Sequence, residues 1–281
     1  ARRVERAEGP VNEAFARLER EGWERVAEQY EAAWVSLTGR FVGPLLDGVG
    51  AAPGVRVLDV CSGPGIVAAR AAEQGARVVG LDFSEAMVRV ARRRYPAIAF
   101  QHGDAEQLPF PDARFDCVVM NFGVLHLPDP ERAFAEAYRV LVPGGRYGFT
   151  VWARPELNVG MTLVADAVAA HGVPPVGVPE GPDRLRYADE AECRRALAAA
   201  GFPPASVVFE THAVRWAVPS KAFLFEAQRD ASVRLAAVLR AQPAERLPAI
   251  QAAVERSMER FRTPSGWEVP MAAHVVAAKR P

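Results

Sequence analysis

Seven residues, Asp59-Val60-Cys61-Ser62-Gly63-Pro64-Gly65, carry the densest chemical signal in this chain. The apolar pair Val57-Leu58 leads into them, and the helix-forming run Ile66-Val67-Ala68-Ala69-Arg70-Ala71-Ala72 follows. The pattern reads as strand, tight turn, helix. Gly63 and Gly65 lack a Cβ, so a ligand can approach the backbone there. The first N–H groups of the following helix have no partner within it and carry partial positive charge, which favours an anionic group. A second strand-like run, Arg77-Val78-Val79-Gly80-Leu81, ends in Asp82, 23 residues after Asp59. An acid at this spacing, at the tip of a second strand, is placed to accept hydrogen bonds from ribose hydroxyls. The other use of Asp82 is as a helix N-cap, a role for which Ser84 competes. The constellation describes a nucleoside-cofactor pocket.

The spacing disfavours a dinucleotide. A nicotinamide or flavin enzyme needs G-x-G-x-x-G so that pyrophosphate can rest on the helix N-terminus. Here Cys61 stands at the first glycine position and Ala68 at a later one. Asp59 also lies outside that pattern. Its carboxylate either holds the turn through backbone N–H groups or faces a cationic ligand.

Further blocks follow in order. They are Leu81-Asp82-Phe83-Ser84-Glu85-Ala86-Met87, Gly103-Asp104-Ala105-Glu106-Gln107-Leu108-Pro109-Phe110, Phe115–Phe122, Leu125-His126-Leu127-Pro128-Asp129-Pro130 and Leu141-Val142-Pro143-Gly144-Gly145-Arg146-Tyr147. With Asp59–Gly65 as motif I, this series resembles the class I S-adenosylmethionine-dependent methyltransferases. The likeness is nearest to the small-molecule branch that includes quinone-biosynthesis and sterol-type enzymes. It spans residues 51–152, and Cys61 departs from the usual glycine.

The resemblance implies S-adenosylmethionine as cofactor and methyl transfer to a small, partly apolar acceptor at O, C or N. It implies a Rossmann-like α/β fold, a seven-stranded, mostly parallel sheet with an antiparallel last strand, plus helical cap and lid segments. Asp82 is assigned to the ribose, with Met87 in the same segment. Cys61, Gly63 and Gly65 are assigned to the methionine portion, and Asp59 to the turn and the cofactor ammonium. Phe83 packs on adenine or in the core. Asp104 accepts from the adenine amino group with the Ala105 backbone alongside, or caps its own loop. Asn121 and Phe122 follow the fourth strand, where the transferable methyl should lie. Trp34 and Thr38 contact the cofactor from the N-terminal cap, or pack in the core. His126 lies just beyond the fourth strand. Histidine changes charge near neutral pH, so His126 serves as base or acceptor contact, or fixes its loop. Two other readings keep the fold: non-methylating chemistry such as cyclisation or decarboxylation, and a non-catalytic partner subunit.

These residues need elements to position them. Strand and helix patterns alternate from Val55 to Trp152, which predicts a parallel sheet with right-handed crossovers. The glycine turn, Asp82, Asp104 and Asn121 all fall at carboxyl ends of strands, where such sheets bind ligands. Residues 1–50 are read as a helical cap, 51–152 as the cofactor-binding core, 153–186 as an insertion and 187–217 as the core continued. Residues 218–264 are a helical lid insertion, with Leu247, Ile250, Val254, Met258 and Phe261 as an amphipathic stripe, and 265–281 hold the final core strand.

Bulk properties bound the partners. Of 281 residues, 34 are Lys or Arg and 34 Asp or Glu, a balance that argues against a long nucleic-acid track. The motif Asn121-Phe122-Gly123-Val124 lacks the Asn/Asp-Pro-Pro-aromatic pattern of nucleic-acid aminomethylating enzymes. Cys61, Cys117 and Cys193 show no metal spacing and are read as reduced. No apolar run reaches the ~18 residues of a membrane span. The opening residues Arg2, Arg3, Glu5 and Arg6 do not form a signal peptide. A cytoplasmic monomer or homodimer is expected, with a small-molecule acceptor, no nucleic acid and no metal.

Overall fold

The computed structural model describes residues 10–281, so Arg2, Arg3, Glu5 and Arg6 lie outside the described residues. A central sheet organises the chain. Strands β1 (Arg56–Val60), β2 (Arg77–Asp82), β3 (Ala99–His102), β4 (Phe115–Asn121), β5 (Leu141–Trp152), β6 (Val208–Val218) and β8 (Gly266–Lys279) run in the order β3-β2-β1-β4-β5-β8-β6. A two-residue β7 (Arg262–Thr263) pairs with β8 alone. Strands β1 to β5 pair in parallel, and β8 runs antiparallel to both β5 and β6. The expected mostly parallel sheet with its antiparallel last strand is the one found. Leu141–Gly145, the glycine-bearing start of the last block, opens β5. A register shift against β4 and a positive φ of 82° at Gly144 fall within it.

Strand order reverses across β1 and β4, which makes a crevice at their carboxyl ends. Helix α3 (Ile66–Glu73) leaves β1 through Gly65 at φ 87°. Helix α4 (Glu85–Arg94) is capped by Ser84, whose Oγ accepts from Met87 N at 3.2 Å. Ser84 thus takes the N-cap that Asp82 could have filled. Helix α5 (Pro130–Val140) starts at Asp129, with Pro130 in the first turn, where no N–H is needed. Helix α7 (Glu190–Ala200) runs from an Asp189 cap to Gly201 at φ 109°, a left-handed residue that favours glycine.

A second apolar core covers the carboxyl edge of the sheet. Helix α1 (Pro10–Thr38) is continuous over 29 residues, and α2 (Val42–Val49) follows one 3-10 turn. Helix α2 begins at Val42 and carries Pro44 in its first turn, which tolerates it. Helices α6 (Leu163–His171), α8 (Phe223–Ala231), α9 (Arg234–Arg240) and α10 (Leu247–Met258) complete the cap. Ile250, Val254 and Met258 recur every four residues along α10 and are fully buried. They pack with Val164, Leu224, Trp34 and Trp216. These three residues of the predicted stripe thus pack α10 against α6 and α8. Among the described residues no helix is long and apolar enough to cross a membrane.

Candidate functional site

The crevice between β1 and β4 opens into one cavity. It is lined by Cys61–Pro64, Asp82, Phe83, Met87, Asn121–Gly123 and His126 from the sheet side. Trp23, Tyr30, Trp34 and Thr38 of α1 face them, with Trp152, Met161, Arg184 and residues 231–235 closing the far wall. Its volume, open mouth included, is about 1190 Å³.

Two non-glycine residues at the floor are strained. Cys61 ends β1 at φ 54° and Phe122 ends β4 at φ 58°. A left-handed L-residue costs roughly 1–2 kcal/mol, and such strain gathers at ligand sites. The Cys61 value also explains the usual glycine at that position: the turn demands a left-handed backbone. Burial, followed by the nearby Asp82 and Asp59 carboxylates, pushes the Cys61 thiol well above its ordinary range. Gly123, unremarked in the sequence, must be glycine because a Cβ would meet Cys61 Cβ and Met120 Cγ at 2.7 Å.

Asp82 ties the strand tips together. Its Oδ2 accepts from Gly63 N at 2.8 Å and its Oδ1 from Ser84 N at 2.9 Å. Burial raises its pKa to about 6, while the two backbone bonds work against the rise. At Gly63, with φ 52°, an added Cβ would meet nothing within 4 Å, so the backbone borders open space. Gly65 behaves differently: a Cβ there would strike Phe100 Cζ at 2.7 Å, and the residue does not line the cavity.

Asp59 lies beneath the floor, fully buried. Its Oδ2 accepts from Ala68 N at 3.0 Å and staples α3 to β1, while Oδ1 has no partner. Burial, with Asp82 adding to it, pushes its pKa up to about 8 against the pull of the Ala68 bond.

Asp104 and Ala105 stand away from the cavity lining. Asp104 is exposed and accepts from Glu106 N at 2.8 Å within its own loop. Ala105 is buried in the core beside Leu58 and Leu81.

The Asn121 carboxamide is committed to structure. Its Nδ2 donates to Thr38 O at 3.3 Å, and its Oδ1 accepts from Thr150 Oγ1 at 2.7 Å. Phe122 stacks on Trp152 with centroids 4.0 Å apart. Trp34 donates Nε1 to Ala231 O at 2.9 Å and stacks on Trp216 at 5.6 Å. It therefore both lines the cavity and belongs to the second core. Tyr30, beside it, has its hydroxyl pushed up to about 12 by burial, with Asp82 contributing.

His126 belongs to a cluster that motif reading missed. Its Nδ1 lies 3.0 Å from Glu19 Oε2. Trp23 Nε1 donates to the same oxygen at 2.9 Å, and Arg234 Nε donates to Oε1 at 2.8 Å. Glu19 is only 1% exposed. Burial works to raise its pKa, yet His126 and Arg234 outweigh that and hold it below the carboxylate norm. A carboxylate held ionised accepts, so His126 Nδ1 donates to Glu19. Glu19, Trp23 and Arg234 belong to no motif. Their only signal was helical amphipathicity, which does not identify a partner. Among the described residues no group of three His, Cys, Asp or Glu is placed to hold a metal.

With this geometry in hand, residues 58–149 match the family model described as a methyltransferase domain. The demethylmenaquinone methyltransferase of Renibacterium salmoninarum is 41% identical over 129 residues, which are 46% of this chain and 54% of that protein. The ubiquinone/menaquinone biosynthesis C-methyltransferase UbiE of Edwardsiella ictaluri is 32% identical over 177 residues, 56% of this chain and 70% of that protein. For most of these curated relatives the chain spans about half their length. In fold it is similar to the YcgJ protein of Bacillus subtilis, with TM-score 0.55, 18% identity and coverage of 86% and 98% of the two chains. It is also similar to the cyclase SpnF, with TM-score 0.52, 23% identity and coverage of 86% and 81%. Those two likenesses concern the fold alone, and a fold does not determine a reaction.

Proposed function

This chain belongs to the S-adenosylmethionine-dependent methyltransferase family, and from that premise we propose that it methylates a small, partly apolar acceptor at O, C or N. The observation that carries the reading is one cavity with two unlike halves. Asp82 and the Gly63 backbone border one half, and an aromatic and aliphatic wall built by the cap borders the other. When bound, S-adenosylmethionine supplies a sulfonium methyl group and leaves as S-adenosylhomocysteine.

The chain's own residues have four tasks. Asp82 accepts from the ribose hydroxyls, with Met87 and Phe83 beside the nucleoside. Gly63 and Cys61 admit the methionine portion to the strand tips, over the floor that Asp59 supports. Phe122 and Trp152, stacked together, exclude water and confine the acceptor, so that positioning supplies much of the rate. His126 Nε2 takes the acceptor's proton or hydrogen-bonds the acceptor, with Glu19 holding the ring. For nucleic-acid substrates the balanced formal charge offers no support.

Calorimetric titration with S-adenosylmethionine, S-adenosylhomocysteine and NAD tests the cofactor half. Micromolar binding of the two sulfur nucleosides without NAD is the expected result. Binding of neither overturns the reading. Acceptor-dependent formation of S-adenosylhomocysteine then separates methyl transfer from chemistry that leaves the cofactor intact.

A further inference from the structure

We propose that Arg184 binds an anionic group, in the simplest case a carboxylate, on an otherwise apolar acceptor, and so sets the chemical class of that acceptor. The inference rests on the methyl-transfer reading of the cavity. Arg184 lines the same cavity as Asp82 and His126. It comes from the segment between α6 and α7, beyond residue 149, where the family match ends.

The guanidinium is half-buried, and among the described residues it makes no hydrogen bond and no ion pair. The nearby charged pair is engaged with itself. Glu19 accepts from Arg234, His126 and Trp23. Arg234 spends its fork on Glu19, Pro182 O and Leu125 O. Asp183 turns its Oδ1 to Leu185 N at 2.9 Å. Burial and the Arg234 charge together pull the Arg184 pKa below its ordinary value. A cation held partly out of water beside a like charge is unfavourable until a counter-ion arrives.

Much of the cavity lining is apolar, including Phe122, Trp152, Met161, Val233 and Leu235. An acceptor that fits must therefore present an apolar body to these side chains and an anion to Arg184. The planar guanidinium fork matches a carboxylate in two parallel bonds, which would fix the acceptor's orientation as well as its charge. The competing anion is the cofactor's own carboxylate, and the test must separate the two.

The protein saturated with S-adenosylhomocysteine is titrated calorimetrically with 2-naphthoate and with 2-naphthamide, two planar apolar probes of one size. Naphthoate is expected to bind about 10–100-fold more tightly, as a charge-assisted bond of ~1.5–3 kcal/mol requires. Arg184→Gln should abolish that preference, leaving the thermal midpoint and the S-adenosylhomocysteine affinity unchanged. Arg184→Lys should keep part of it, since the charge stays and the fork is lost. Equal binding of the two probes, no binding of naphthoate, or a preference that survives Arg184→Gln overturns the proposal. A matching loss of S-adenosylhomocysteine affinity in Arg184→Gln overturns it too, and assigns Arg184 to the cofactor carboxylate. Failure of the wild-type protein to bind S-adenosylhomocysteine at all points instead to the underlying reading of the cavity.

Discussion

Glu19 and His126, 107 positions apart in the chain, meet with Oε2 and Nδ1 3.0 Å from each other behind the cavity lining. The carboxylate fixes which ring nitrogen carries the proton, as acids behind catalytic histidines do. His126→Ala should lower turnover on the true acceptor by roughly 10²–10⁴, with S-adenosylhomocysteine affinity little changed. Steady-state kinetics beside calorimetry checks this, and near-normal turnover would remove His126 from the chemistry.

Glu19→Gln tests the other side of the pair. It leaves Arg234 without its counter-charge in a buried setting, and breaking such a pair costs about 3–5 kcal/mol. Urea unfolding should show that loss at pH 7. Because the Glu19 pKa is depressed in the fold, its contribution is present above the unfolded carboxylate value and is lost as pH falls through the folded one. The gap between wild type and variant should therefore narrow in acid. A gap that is flat with pH would contradict the assignment of charge.

Asp82→Ala removes the acceptor for the ribose hydroxyls and the bonds to Gly63 N and Ser84 N. Bonds to a charged group are worth ~1.5–3 kcal/mol each, so S-adenosylhomocysteine affinity should fall at least about tenfold. Unchanged affinity in a folded variant would refute the pocket assignment.

Asp59 and Asp82 carry the opposite pH signature to Glu19. Their pKa values are raised, to about 8 and about 6. The stability each contributes is fully present below the unfolded carboxylate value and is lost as pH rises through the folded one. The ligand-free protein should therefore weaken between pH 4 and pH 8. Asp59→Asn should flatten that decline while preserving the acceptor for Ala68 N. Thermal midpoints across this range decide it: a decline of unaltered slope in the variant would exclude Asp59 as its source.

Helix α10 is held by one packed seam. Ile250→Ala empties a fully buried site between α10 and α6, and such truncations cost about 2–5 kcal/mol. Denaturant midpoints should shift accordingly, and acceptor turnover should fall with cofactor affinity retained. A midpoint that does not move would mean that the α10 seam is not a packed core.

Much of this was legible in the linear chain because it rests on local physics. The glycine turn, the acid at the end of β2, the Ser84 cap and the four-residue period of α10 need only near neighbours in sequence, and each appears where its pattern placed it. The parallel pairing of the first five strands followed as well, since alternating strand and helix imply right-handed crossovers, while the order of the strands did not. Tertiary structure alone decided what faces what. No local rule pairs Glu19 with His126, leaves Arg184 without a counter-charge, puts Cys61 and Phe122 in left-handed backbone at adjacent strand tips, or turns Gly65 toward Phe100 and away from the cavity. Those facts arise where segments distant in sequence fold over one crevice, and side-chain charge and volume there are set by partners that periodicity does not encode.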